Sequence, residues 1–273
     1  DTVWPDVTLL VVLALIFGVR LLVVRTLEAP MWGDSYQHTV IAQLLVDSGG
    51  LFHSWEPYAP YESLTVHTGF HTVVALFMWL TGAASVSATI WVGQLLNGLA
   101  TLTLYPLAMR VAGGRRWAGV GAVAAAGLLS PLPAYYVNWG RYAQLAGQAI
   151  LPTALWILLA AFESPKARKA AVLLGGAVLA GMTLSYYRMP FYFLAFAGPW
   201  FLLWSWSRWR SGSDWRGYSR AVLGGVLLGI AGVLLFAPWF SALSGSNLAA
   251  SMEKGLSVTP AWERVKADYQ IWR

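Results

Sequence analysis

The residues best suited to chemistry lie close together in the first third of the chain. All four histidines, and four of the twelve acidic residues, fall within or beside one short stretch. They are Asp34, His38, Asp47, His53, Glu56, Glu62, His67 and His71. Imidazoles and carboxylates can transfer protons near neutral pH, and they also bind metals and orient polar substrates. This concentration indicates that the stretch contains the functional site.

The sequence around Asp34 predicts an amphipathic helix over 36–46 that lies on a membrane surface. Its apolar residues recur at spacings of three and four, and Gly49 or Gly50 would end it. Asp34 precedes the first turn and His38 follows one turn later, so the two side chains can share a face. Asp34 could be the N-cap of this helix or a catalytic carboxylate, and the local pattern favours neither.

His67 and His71 are four residues apart at the start of an apolar segment, which predicts that they share one face of a helix. As a metal pair they are a weak match, because the chain has no His-Glu-x-x-His pattern. Hydrogen bonding to a headgroup or a substrate is the favoured interpretation. Glu56 lies upstream of them, in a segment rich in proline and aromatic residues that is typical of an ordered, irregular loop.

Two arginines are candidates for binding a phosphate group. Arg141 follows Asn138 in an aromatic stretch, and Arg188 follows two tyrosines. One interpretation is an aromatic belt at the membrane interface with arginines that extend to water. The other is an anion site, because the guanidinium group offers a rigid fork of donors to phosphate.

The composition limits the kind of protein that positions these residues. The 273 residues are 58% hydrophobic and 11% charged, and the mean hydropathy is +0.57. Soluble domains carry about 25% charged residues, so an ordinary soluble enzyme is excluded. The chain has no cysteine, which excludes disulfides and cysteine-ligated metal sites. The net charge of +6 is spread over short clusters between apolar runs, which indicates membrane topology rather than nucleic-acid binding.

Apolar runs predict an all-α, polytopic membrane protein with about seven transmembrane helices. Seven runs approach the roughly 20 residues that cross a bilayer, whereas the run at 69–80 is too short. The seven are 7–24, 86–109, 118–137, 145–162, 170–187, 190–206 and 221–240. Three basic clusters, near 110–116, 166–169 and 208–220, then share one side, which the positive-inside rule makes cytoplasmic. We therefore expect a cytoplasmic N-terminus and a large first external loop, 26–85, with juxtamembrane helices near 35–46 and 69–80.

This order of features resembles the GT-C superfamily, membrane glycosyltransferases that use polyprenyl-phosphate donors and include protein mannosyltransferase-like and oligosaccharyltransferase-like branches. The resemblance is carried by Gly33-Asp34-Ser35 with Tyr36-Gln37-His38, by His67-Thr68-Gly69-Phe70-His71, and by Asn138-Trp139-Gly140-Arg141-Tyr142. The chain departs from the superfamily at two places. Tyr36 stands where a second Asp would complete Asp-x-Asp, and Thr68-Gly69 follows His67 where many relatives have two prolines.

The resemblance implies inverting transfer of a hexose or pentose from a polyprenyl-phosphate-linked sugar on the external face of a bacterial plasma (inner) membrane. Asp34 would be the general base or a ligand of a divalent cation such as Mg or Mn, although the visible oxygen ligands are too few to require a metal. Sugar or phosphate would be bound by His38, Glu56, His67, His71, Asn138, Arg141 and Arg188. Residues 1–240 would form the membrane module, and 241–273 an external tail that begins a further C-terminal region.

Two other classes of function compete with this hypothesis. The chain could be a non-catalytic accessory subunit of a larger membrane complex, with the loop side chains contacting membrane lipids or other membrane protein subunits. A transporter is less favoured, because charged residues that would mark a pathway are almost absent from the span interiors. No interpretation of the sequence includes a nucleic-acid partner.

Overall fold

The computed structural model describes residues 3–59, 67–212 and 215–256, with side chains up to residue 239. In these ranges every regular element is helical, as the composition predicts, and a π-helical turn at Ala125–Leu129 continues α6. The helices are α1 Trp4–Val24, α2 Gly33–Asp47, α3 Gly69–Thr81, α4 Ser85–Leu102, α5 Leu104–Val111, α6 Arg116–Ala124, α7 Tyr135–Asn138, α8 Tyr142–Glu163, α9 Arg168–Ser185, α10 Met189–Arg210 and α11 Trp215–Leu256.

Within the described residues, four helices are long and apolar enough to cross a membrane. These are α1, α8, α9 and the Trp215–Trp239 part of α11. The segments Gly69–Thr81 and Ser85–Val111 pass the same test only as a pair, bent by 115° where they join. The protein is therefore a helical membrane protein with four or five candidate spans, and the seven spans expected from the sequence remain a prediction.

The basic clusters gather at one end of the helices. Arg110 on α5 pairs with Glu163, the last residue of α8, at 2.7 Å. Arg116 pairs with Asp6 near the start of α1, and Arg168 and Arg208 line one cavity. We call this end, defined by Arg110, Arg168 and Arg208, the basic end.

The opposite end begins where α8 begins. Tyr142 is the first residue of α8 and Glu163 the last, so the two ends of its 22 residues are about 33 Å apart at 1.5 Å per residue. We call the end next to Arg141 and Tyr142 the site end. Both α2 and the start of α3 lie there, because Ser35 on α2 hydrogen-bonds to Tyr142 and Phe70 on α3 stacks on the Tyr142 ring.

Helices α2 and α3 occupy the segments where the sequence predicts juxtamembrane helices. Gly49, with φ of +66°, ends α2, and the Gly50 N–H donates to the Leu45 carbonyl at 3.0 Å, as expected for a glycine C-cap. The apolar face of α2 is buried against Phe52, Trp55 and Ala75. It therefore packs on protein, whereas the sequence favoured contact with the membrane surface.

The π-helical turn provides a hydrogen-bond partner for Arg20, a charged residue inside the first apolar run. Arg20 on α1 donates through Nη2 to the Gly127 carbonyl at 3.4 Å. Gly127 lies in the π-helical turn and has the Ile16 side chain directly against its Cα. The widened turn leaves a carbonyl that can accept from a neighbouring helix, so the guanidinium group finds a partner without leaving the helical bundle.

Helix α11 continues past the end of its apolar part to Leu256. The boundary expected at 240, between a membrane module and a tail, therefore falls inside a helix. The rest of the expected tail, 257–273, lies outside the described residues.

Candidate functional site

Asp34 forms an ion pair with Arg141 at the site end. The N-cap of α2 is Trp32, and Asp34 lies in the first turn, so the interpretation of Asp34 as the N-cap is wrong. Its Oδ2 lies 3.1 Å from Nη1 of Arg141, and the side chains of Arg141 and Asp34 remain 40% and 44% exposed. A carboxylate and a guanidinium group are thus held together where a ligand can reach both.

Gly140 brings Arg141 to the start of α2. It has φ of +66°, and a Cβ at this position would lie 2.9 Å from Ser35 Oγ and 3.4 Å from Asp34 Cβ. Only glycine combines a left-handed backbone with so close an approach at no steric cost. The turn before it is held by buried Asn97, whose Nδ2 donates to the Pro133 carbonyl at 3.0 Å.

A pair of imidazoles lies beside the ion pair. His38 Nδ1 and His71 Nε2 are 2.8 Å apart. The outer nitrogens each face a backbone carbonyl, His38 Nε2 that of Gly140 at 3.1 Å and His71 Nδ1 that of His67 at 3.0 Å. His71 is fully buried, and the His38 ring is packed edge-on against Phe70 and Tyr142.

The hydrogen bonds of this pair need more protons than two neutral rings carry. A carbonyl oxygen only accepts, so each outer nitrogen must donate, and the central contact needs a third N–H. Two neutral imidazoles have two N–H groups in total, and they satisfy two of the three contacts. One extra proton shared by the pair would satisfy all three, at the cost of burying a charge.

Burial decides the charge state of His38 and His67 in the protein without a ligand. It lowers the pKa of His38 to about 4, although the hydrogen bond to Gly140 and the charge of Asp34 act in the opposite direction. Burial, together with the nearby His38, lowers the pKa of His67 to about 4. Both rings are therefore neutral at pH 7.

The turn between α9 and α10 completes the site end. The His67 ring packs edge-on against Tyr186, with ring centroids 5.3 Å apart. Arg188 donates from Nε to the Tyr187 hydroxyl at 2.8 Å. Burial raises the pKa of Tyr186, and the charges of Arg188 and Arg141 act against this shift. The two arginines that the sequence singles out therefore both lie near one tyrosine, Tyr186.

Comparison with known proteins gives a family but no activity. A family model described as a family of unknown function, DUF6541, matches residues 2–266. The chain belongs to this family. No curated protein and no solved structure matches it.

The structure of this DUF6541 protein joins most of the residues that the sequence selects. Asp34 pairs with Arg141, and His38 contacts both His71 and the carbonyl of Gly140, the residue before Arg141. His71 in turn contacts the His67 carbonyl. The other three selected residues, Arg188, Asn138 and Glu56, have exposed side chains. Arg188 joins the group through its tyrosine neighbours, and Asn138 lies two residues before Gly140 at the end of α7.

Glu56 lies on the loop that covers the apolar face of α2, and among the described residues no hydrogen bond or ion pair links its side chain to the site.

The sequence did not select Gly140 or Tyr186 as site residues. Gly140 occurs in an Asn-Trp-Gly-Arg stretch that signals a turn. Nothing in that signal shows which element the turn approaches.

Among the described residues, the site of this DUF6541 protein offers few protein ligands for a divalent cation. Among the described side chains, no three from His, Asp, Glu and Cys are grouped as metal ligands. Asp34 is already paired with Arg141, and a hard cation such as Mg²⁺ needs several oxygen ligands. A divalent cation at Asp34 therefore stays a prediction.

Acidification should destabilise this DUF6541 protein between pH 6.5 and 5. The unfolded chain binds protons at His38 and His67 in this window while the folded protein does not, so the free energy of unfolding falls as the pH falls. The slope is about 1.4 kcal/mol per pH unit for each such group. Thermal unfolding in detergent across this range measures it.

The matched variants for this measurement are His38→Gln and His53→Gln. His53 is exposed and lies outside the site. We expect the first variant to flatten the dependence of melting temperature on pH and the second to leave it unchanged. An unchanged slope in His38→Gln would show that the buried imidazole is not its source.

Proposed function

We propose that this DUF6541 protein is a GT-C-type membrane glycosyltransferase that transfers a hexose or pentose from a polyprenyl-phosphate donor. The observation that supports this proposal most is the accessible ion pair of Asp34 and Arg141 at 3.1 Å. Such a pair offers a proton acceptor and a phosphate-binding cation to one ligand. It lies at the end of a bundle of apolar helices, where a lipid-linked substrate would present its headgroup.

Asp34 is the general base in the proposed reaction. Its carboxylate takes the proton of the acceptor hydroxyl as the acceptor oxygen attacks the anomeric carbon. The bond between that carbon and the phosphate oxygen breaks, and polyprenyl phosphate leaves with the electron pair. Arg141 stabilises the charge that develops on the departing phosphate.

The surrounding residues orient the donor. Arg188 provides a second cation beside Tyr186, and His67 lies against the same tyrosine. His38, paired with His71, holds the Gly140 carbonyl and thereby the backbone of Arg141. The sequence rule for basic loops puts the basic end in the cytoplasm and the site end outside, in a plasma membrane crossed by about seven helices.

Lipid mass spectrometry on the purified protein tests this proposal. We expect a polyprenyl-phosphate sugar to copurify with the native chain. Arg141→Gln should lower its amount by about tenfold or more, because a charged hydrogen bond to phosphate is lost. Arg25→Gln is the matched control, since Arg25 follows α1 at the same end and is exposed.

A different set of copurifying molecules would contradict the proposal. If only ordinary phospholipids copurify, and unrelated membrane proteins are present in stoichiometric amounts, the glycosyltransferase proposal fails. The chain would then be an accessory subunit, and the polar groups at the site end would be contacts to its partners.

A further inference from the structure

A cavity lies at the basic end, about 33 Å along α8 from the ion pair. It lies between α10 and α11 and has a volume of about 430 Å³. Its walls include aromatic rings, one arginine and two hydroxyl groups. The residues that matter are Leu202, Ser205, Trp206, Arg208, Trp215 and Tyr218.

A second cavity of about 230 Å³ adjoins the first. Arg208 and Tyr218 line both, so these two side chains form a shared wall. Arg168 at the start of α9 lines the second cavity. Helices α9 and α10 therefore each place one arginine in the walls of this pair of adjoining cavities.

The arginines of this space lack acidic partners in the part of the chain that the structure describes. Arg208 lies over the Trp204 ring at 5.6 Å, and Arg168 donates from Nε to the Ala161 carbonyl at 3.0 Å. The one described carboxylate in the walls, Glu163, is paired with Arg110. The remaining N–H groups of both arginines can therefore bind an anion.

The hydroxyl and aromatic groups of the cavity are held in place by one another. Tyr218 stacks on Trp204 with ring centroids 5.4 Å apart, and its hydroxyl donates to Ser205 Oγ at 3.4 Å. Trp206, Trp215 and Leu202 have large exposed apolar surfaces. Exposed tryptophans at the end of apolar helices are typical of the headgroup region of a bilayer.

We propose that this cavity binds the headgroup of an anionic phospholipid. The phosphodiester would accept from Arg208 and Arg168, with the hydroxyl groups of Ser205 and Tyr218 beside it. The glycerol and the upper acyl chains would contact Leu202, Trp206 and Trp215. Arginines without an acidic partner among the described residues favour an anion, and the exposed apolar rim favours a ligand that is itself in the membrane rather than a free phosphate.

Native mass spectrometry with titrated lipid tests this proposal. Dioleoyl phosphatidylglycerol is the anionic probe and dioleoyl phosphatidylcholine the zwitterionic one. We expect phosphatidylglycerol to bind more tightly, and Arg208→Gln to weaken it about fivefold, as expected for one basic residue near an anionic headgroup. Arg208→Lys keeps the charge but loses the fork of donors, so its binding should be intermediate.

Arg115→Gln is the control for net charge. Arg115 belongs to the basic clusters, is exposed, and lines neither cavity, so we expect no change. Equal binding of the two lipids, an unchanged Arg208→Gln protein, or glycerol 3-phosphate binding as tightly as the lipid would each overturn the proposal. The cavity is remote from the ion pair, so the result does not depend on whether the protein transfers sugar.

Discussion

Replacing Asp34 with Asn should lower sugar transfer by about 10²–10⁴-fold, the usual contribution of a general base. The amide has nearly the same shape but cannot take a proton from an acceptor hydroxyl. The variant should still fold, because the ion pair is half-exposed and pairs of this kind contribute little to stability. The measurement is release of polyprenyl phosphate from synthetic polyprenyl-phosphate hexoses and pentoses by purified protein.

Asp47→Asn is the matched control for this experiment. Asp47 is the last residue of the same helix, is exposed, and accepts a hydrogen bond from Gln43 at 2.8 Å. We expect full transfer by this variant and melting temperatures within a few degrees of the native value for both. Full activity of Asp34→Asn would remove the general-base role from this carboxylate.

Local sequence patterns were sufficient to locate the two helices that carry the site. The apolar spacing in 36–46 and the glycines that follow it specify α2, and both are local properties of the chain. The same patterns place His38 one turn after Asp34, and they put His67 and His71 at the start of α3. Periodicity and capping act over a few residues, so they can be read without knowing the rest of the fold.

Contacts between distant segments could not be predicted in this way. The Asp34–Arg141 pair joins residues more than a hundred positions apart, and the pairing of His38 with His71 depends on how α2 packs on α3. Glu56 lies near the histidines in sequence, but its loop is attached through Phe52 and Trp55 to the apolar face of α2. Its role in binding sugar or phosphate stays a prediction.

The number of membrane spans is also difficult to predict from the sequence, again for a physical reason. Hydropathy measures whether a run could enter a bilayer, and it does not show where a helix bends. The apolar runs at 69–80 and 86–109 form helices that meet at 115°, and the run at 118–137 divides into α6, a π-helical turn and α7. Trp and Tyr give α10 an interfacial character that length alone does not reveal.

Gly140→Ala should abolish transfer and lower the free energy of unfolding by about 1–3 kcal/mol, the cost of a left-handed backbone in a residue other than glycine. The added methyl group would also lie 2.9 Å from Ser35 Oγ and 3.4 Å from Asp34 Cβ. Either α2 or the segment before α8 must then move, which separates the carboxylate from Arg141. Transfer and thermal unfolding should be measured on the same preparation.

Gly49→Ala separates the effect of the left-handed backbone from the effect of the close contact with α2. Gly49 has the same φ of +66° as Gly140, but a Cβ there would meet nothing within 4 Å. Both variants should lose stability to a similar extent from the backbone alone, whereas only Gly140→Ala should lose transfer, because only Gly140 touches the start of α2. Equal transfer by the two variants would mean that the close approach of Gly140 to Ser35 and Asp34 does not position the site.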